Sequence, residues 1–172
     1  TPEDTGVRFA DVNGDGLQDL VIAEQVNGSP VRSVRLNTGS GFLDSSSWTQ
    51  SLSQTGLYFT DNFTLTGQRF SEDQGVRLMD VNGDGLADLI QAVHFKRWDT
   101  ADLCYYETES TVKVAYINTG TGWQQNSVWT TALNNLPFVL IDNLAYVEVG
   151  LRCSADGYSR WSLDQGIRFA DV

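Results

Sequence analysis

The chain has 172 residues, of which 41% are hydrophobic and 11% aromatic, enough for one substantial core, and this excludes a disordered chain. Its 22 acidic residues outnumber 11 basic ones, and a formal charge of −11 with no basic cluster excludes a nucleic-acid partner, which needs a positive face. No stretch is apolar for long enough to insert into a membrane, and the opening TPEDTGVRF lacks the layout of a signal peptide, so any secretion signal has been removed or lies outside this sequence.

Gly6-Val-Arg-Phe9 opens a first predicted strand, VRFADV, and a second, DLVIAEQ, starts at Asp19; both are rich in Val, Ile, Leu and Phe. Between them DVNGDGLQDL, Asp11 to Leu20, sets oxygen-bearing side chains at positions one, three, five and nine: Asp11, Asn13, Asp15 and Asp19. The same ladder returns in DVNGDGLADL as Asp80, Asn82, Asp84 and Asp88. A calcium ion takes six to eight oxygens at roughly 2.3–2.6 Å, and a short loop curled around it turns alternate side chains inward. Position seven, Leu17 or Leu86, adds a backbone carbonyl. Three aspartates crowded into nine residues repel one another unless a cation lies between them, and Gly14, Gly16, Gly83 and Gly85 allow the positive dihedrals of so sharp a turn. The spacing predicts two calcium sites, whose ions, each +2, would take the charge from −11 to −7. The competing reading is an Asx-rich surface turn, and two copies sharing every ligand position weigh against it. An EF-hand needs a bidentate Glu at position twelve between helices, where this chain has Ile22 and Gln91 between strands.

Further along, SVRLN and VKVAYIN alternate apolar and polar residues as strands do, and glycine pairs at 39 and 41 and at 120 and 122 punctuate the following turns. Asn37, Phe42, Trp48, Asp61-Asn62 and Asp73-Gln74 recur as Asn118, Trp123, Trp129, Asp142-Asn143 and Asp164-Gln165. Together with the starts at Gly6, Gly75 and Gly166, they divide the chain into a repeat over 1–74, a second over 75–165 and the start of a third over 166–172. No long amphipathic helix is expected; WTTALNNL has the character of one short helical turn.

The second repeat carries two insertions. Asp19 to Asn37 spans 18 positions but Asp88 to Asn118 spans 30, and Asp61 to Asp73 spans 12 but Asp142 to Asp164 spans 22. Each insertion, read as a long loop, holds one of the only two cysteines, Cys104 and Cys153, which are expected to form a disulfide stapling the two loops. Trp98, Tyr105, Tyr106, Tyr158 and Trp161 fall in the same insertions, where they pack the loops on themselves or anchor a sugar or partner. The sequons Asn27-Gly-Ser29 and Asn62-Phe-Thr64 would accept glycan on a secreted eukaryotic chain, and Pro30 after the first makes Asn62 the better acceptor.

VRFADVNGDGLQDLV and VRLMDVNGDGLADLI resemble the FG-GAP or VCBS repeats of integrin-like β-propellers, whose blades carry a DxDxDGxxD loop between two strands. Asn13 and Asn82 stand at the third position, and no literal Phe-Gly or Gly-Ala-Pro signature is present. The resemblance implies an all-β fold of propeller-type blades: two four-stranded repeat units plus the first strand of a third, with a calcium loop between the first two strands of each. Asp171-Val172 is where a third loop would start, so the chain is expected to be a segment of a longer repeat protein or to have its edges covered by neighbouring copies.

Catalytic machinery is sparse: a single histidine, His94, read as a structural residue on a strand edge, and no GxSxG or HExxH motif. The expectation is a non-enzymatic calcium-binding structural or adhesion segment outside the cell, possessing Ca2+ at two sites and meeting neighbouring repeats, copies of itself, glycans or cell-surface proteins. A lectin-like module and the repeat shell of a secreted bacterial toxin are the rival classes, the first distinguished by glycan binding and the second by an adjoining catalytic or translocation domain.

Overall fold

A computed structural model describes residues 4–65, 67–101, 104–147 and 158–165. Unit one runs β1 (Val7–Ala10), β2 (Asp19–Val26), β3 (Ser29–Asn37), β4 (Phe42–Asp44), α1 (Ser46–Thr55), β5 (Thr60–Leu65) and β6 (Gln68–Asp73). Unit two repeats the order with β7 (Val76–Met79), β8 (Asp88–Ala101), β9 (Cys104–Asn118), β10 (Trp123–Gln125), α2 (Ser127–Asn134), β11 (Ile141–Val147) and β12 (Tyr158–Asp164). The all-β class holds, with strands dominating and the two helices short.

Each unit is one six-stranded sheet, where four strands were expected. The orders are β4-β3-β2-β5-β6 with β1 beside β2, and β10-β9-β8-β11-β12 with β7 beside β8. The additional pair comes from the segment after the helix. β5 runs parallel to β2 from Glu24↔Thr60 to Val26↔Asn62, along the edge that β1 leaves free after pairing Val7↔Ile22 to Ala10↔Asp19. It then turns back antiparallel as β6. Among the described residues neither sheet closes on itself.

The hairpin between β2 and β3 turns on Asn27 (φ +48°) and Gly28 (φ +82°), the pair of positive dihedrals that matches the twist of a two-residue hairpin. In unit two the first insertion is not a loop. It lengthens the equivalent hairpin, so that β8 and β9 pair continuously from Leu89↔Tyr116 out to Ala101↔Cys104. Of the second insertion, also expected as a loop, Tyr158 and Trp161 fall on β12, opposite Val147 and Leu144, and 148–157 lie outside the described residues. Cys153 is there, so its pairing with Cys104 also lies outside them.

The helices were expected as no more than a short turn, yet α1 has 10 residues and α2 has 8. The reason is the spacing of their inward residues. Trp48, Leu52 and Thr55 of α1 are buried on one face, and Gly56 ends the helix in the left-handed conformation at φ +73°. In α2 the Asn126 side chain accepts from the N–H groups of Val128 and Trp129, capping the first turn. Thr49 and Thr130 tie the helices to the sheets by accepting from the N–H of Val34 and of Ala115.

The main core lies between the units. Ala10, Val12, Val21, Val34, Trp48 and Leu52 form the trailing face of unit one, and the leading face of unit two closes on it with Leu89 and Trp123, flanked by Leu78, Ala87 and Tyr116. Trp48 meets Trp123 edge-on at 4.9 Å between ring centroids, a geometry that contributes about 0.5–1.5 kcal/mol beyond the area it buries. A second cluster, Ile90, Ala92, Val93, Ala115, Leu133, Leu140 and Ile141, lies on the far side of the second sheet beneath α2.

Candidate metal centre

The two predicted loops fill the gaps between β1 and β2 and between β7 and β8. They adopt one conformation. Both Asp11 oxygens are turned back on the loop: Oδ1 accepts from the N–H of Gly14 (2.7 Å) and Asp15 (3.2 Å), and Oδ2 from Gly16 (2.7 Å). Asn13 Oδ1 accepts from Asp15 N (3.1 Å), and Asp15 accepts from Leu17 N (2.8 Å) and Asn13 Nδ2 (2.9 Å). In the second loop Asp80 accepts from Gly83, Asp84 and Gly85, and Asn82 from Asp84 N. Asp84 accepts from Leu86 N and Asn82 Nδ2. The acids are thus spaced and oriented by the backbone donors that the glycine-rich turn exposes.

Position nine is different in kind. Asp19 and Asp88 are wholly buried, each at the first residue of a strand. Asp19 accepts from Val12 N (3.0 Å) and Asn37 N (2.8 Å), and Asp88 from Val81 N (3.0 Å) and Asn118 N (2.7 Å). Each carboxylate therefore clamps the loop entry to the far end of the next strand. Burial pushes the Asp88 carboxyl above the ordinary range; the N–H groups of Asn118 and Val81 oppose this, and the charges of Asp84 and Asp80 add to it. Asp80 shifts the other way: desolvation raises it, but the N–H donors of Gly85, Gly83, Asp84 and Asn82 together outweigh that and hold it below the ordinary range.

The donor set is all oxygen, which suits a hard cation: three carboxylates, the amide oxygen of Asn13 or Asn82, and the carbonyl of Leu17 or Leu86. Yet among the described residues no group of three or more His, Cys, Asp or Glu side chains is gathered as a metal cage. The hydrogen bonds explain this, since every loop carboxylate is aimed at N–H donors. Each oxygen carries two lone pairs, so these bonds do not exhaust its capacity.

The loops also meet each other, which local spacing did not signal. Ala87 N donates to the Asp11 carbonyl (3.3 Å), and a Cβ on Gly14 would come within 2.9 Å of the Leu86 side chain. Asn37 and Asn118 were legible only as recurring landmarks, and the structure makes them the partners of position nine.

Asn62 is corrected as a glycan acceptor. It is 4% exposed, and the nitrogen that would carry the sugar donates to the Asp4 carbonyl (2.8 Å) and to Glu24 Oε2 (2.9 Å). The ranking of the sequons is reversed, because Asn27 is exposed in its hairpin turn, with Oδ1 accepting from Thr64 N. His94 on β8 faces Asp142 of the neighbouring β11 at 3.1 Å. No helix among the described residues is long and apolar enough to cross a membrane. The chain matches no protein-family model, and no curated protein or solved structure is similar to it.

Proposed function

We propose that the chain is a calcium-binding, non-enzymatic structural or adhesion segment of an extracellular or cell-surface protein, built from propeller-type repeats like those of the FG-GAP or VCBS family. Asp11, Asn13, Asp15, Asp19 and the Leu17 carbonyl would hold one ion, and Asp80, Asn82, Asp84, Asp88 and the Leu86 carbonyl the other. The observation that carries this reading is the buried acid at position nine in two loops of identical hydrogen-bonding pattern. Asp88 lies beneath two further acids and is penalised by burial, and a divalent cation would offset both effects. Because the loops touch, an ion in either would also stiffen the junction between units. Affinity in the range of about 10⁻⁴–10⁻³ M, usual for extracellular modules, suits a structural ion.

Calorimetric titration of the folded chain with calcium is the test: two ions taken up support the reading, and no uptake sinks it. The Cys104–Cys153 disulfide is part of the same proposal. Closing a loop of about 50 residues, it would add roughly 4 kcal/mol. Alkylation in denaturant without reductant should leave both cysteines unlabelled, and two labelled thiols would remove the staple.

A further inference from the structure

We propose that the leading face of unit one and the trailing face of unit two are the two halves of one interface, through which a second copy of this chain docks head to tail. The inference rests on the repeat reading above but not on calcium. Its template is the junction between the two units, where the leading face of unit two presents Trp123, Tyr116, Leu86 and Asn118. Trp123 N donates to Ser51 Oγ (2.7 Å), Tyr116 Oη to the Thr55 carbonyl (2.9 Å), and Asn118 Nδ2 to the Val12 carbonyl (2.8 Å).

The corresponding face of unit one is uncovered among the described residues. Phe9, Leu17 and Phe42 stand where unit two has Leu78, Leu86 and Trp123, and they are 59%, 36% and 49% exposed. Phe9 and Phe42 lie together, ring centroids 6.5 Å apart. The side-chain nitrogen of Asn37, the counterpart of Asn118, donates within its own unit, to the Gln18 carbonyl (3.1 Å). Asn118 makes that bond too, to Ala87, and adds the one to Val12. An apolar patch of this kind on an acidic chain marks a contact surface.

The receiving half is equally visible. Met79, Val81, Ile90, Ala115, Trp129 and Leu133 line a depression of about 370 Å³ on the trailing face of unit two. They correspond one for one to Ala10, Val12, Val21, Val34, Trp48 and Leu52, which unit two buries in the main core. Val12 is 0% and Trp48 5% exposed, whereas Val81 and Trp129 are only half-buried. Ala132 stands where Ser51 receives Trp123, and a Cβ on Gly122 would lie 2.5 Å from Ser51 Oγ, which shows how closely the leading face approaches there. The faces are complementary but unlike, so the contact is heterologous and propagates from copy to copy.

The experiment is sedimentation of residues 1–172 over a range of concentrations at physiological salt, with calcium and without. Wild type should form species heavier than its 19.0 kDa. Phe42→Asp spoils the leading face, Ala132→Arg the trailing one; both positions are exposed, so each variant should melt like wild type yet associate about tenfold more weakly or worse. Mixing the two variants leaves one sound face on each, and should give a species of twice the chain mass and nothing larger. Wild type that stays monomeric, association unaffected by either substitution, or folded variants that fail to pair when mixed would each overturn the proposal. Calcium uptake, read separately by calorimetry, distinguishes failure of docking from failure of the calcium reading.

Discussion

Asn118 reaches back across 106 residues to donate its side-chain amide to the carbonyl oxygen of Val12 at 2.8 Å. The same nitrogen donates to Ala87 at 3.1 Å, and the backbone N–H of Asn118 serves Asp88. One residue thus joins the first loop, the second loop and β9. Asn118 is 1% exposed, so Asn118→Ala leaves the buried Val12 carbonyl without its donor, while Ala87 keeps the one from Trp123 Nε1, and is predicted to cost about 1–3 kcal/mol. The counterpart change Asn37→Ala, at a half-buried residue whose side-chain nitrogen donates only within its own unit, should cost less. Urea unfolding of the two variants gives the comparison, and equal losses would remove the latch.

Calcium at 10–100 times its dissociation constant should stabilise the fold by about 1.4–2.7 kcal/mol per site. Asp15→Ala and Asp84→Ala are each predicted to abolish one of two binding events, and the double variant to lose the calcium-induced rise in melting temperature. A double variant whose melting point still climbs with calcium would contradict the assignment of these loops.

The Asp4–Arg8 ion pair, 2.7 Å, recurs as Asp73–Arg77, 2.9 Å. Asp4 lies below its ordinary value of 3.8 because Arg8 hydrogen-bonds its carboxylate, burial opposes this, and the Gly6 N–H adds to the lowering. A carboxylate depressed in the folded state stabilises it above the unfolded value, and that contribution is lost as pH falls through the folded one. Asp4→Asn is therefore predicted to lower the urea midpoint at neutral pH and to flatten its decline below pH 3.8. An acid limb of unchanged slope would show that the pair contributes nothing.

Gly75 sits at φ +66°, and a Cβ there would lie 2.7 Å from the carbonyl oxygen of Ala92 and 2.9 Å from Val93 Cβ. Gly28 has a similar dihedral, φ +82°, but open space around it. Gly28→Ala should cost only the left-handed strain, about 1–2 kcal/mol. Gly75→Ala should cost clearly more, since backbone must move as well. Thermal unfolding ranks the two, and equal losses would mean that the Ala92 contact is soft.

Much of the molecule is written in runs of a few residues. VRFADV and DLVIAEQ read as strands and the two Asp-Asn-Asp ladders as loops of one kind, because β-propensity and oxygen spacing are properties of consecutive residues. Other features depend on partners that no local pattern names. SSWTQSLSQT has little intrinsic drive to be helical, and α1 gains its place from burying Trp48 and Leu52 against unit two. β5 finds its parallel place beside β2 only because β1 begins at Val7, opposite Ile22, and leaves the edge beyond it open. Asn62 read as an acceptor on the surface until Asp4 and Glu24 closed over it. In each case the short-range pattern stated what a segment could be, and burial against residues far along the chain decided what it became, since desolvation and packing act on neighbours in space.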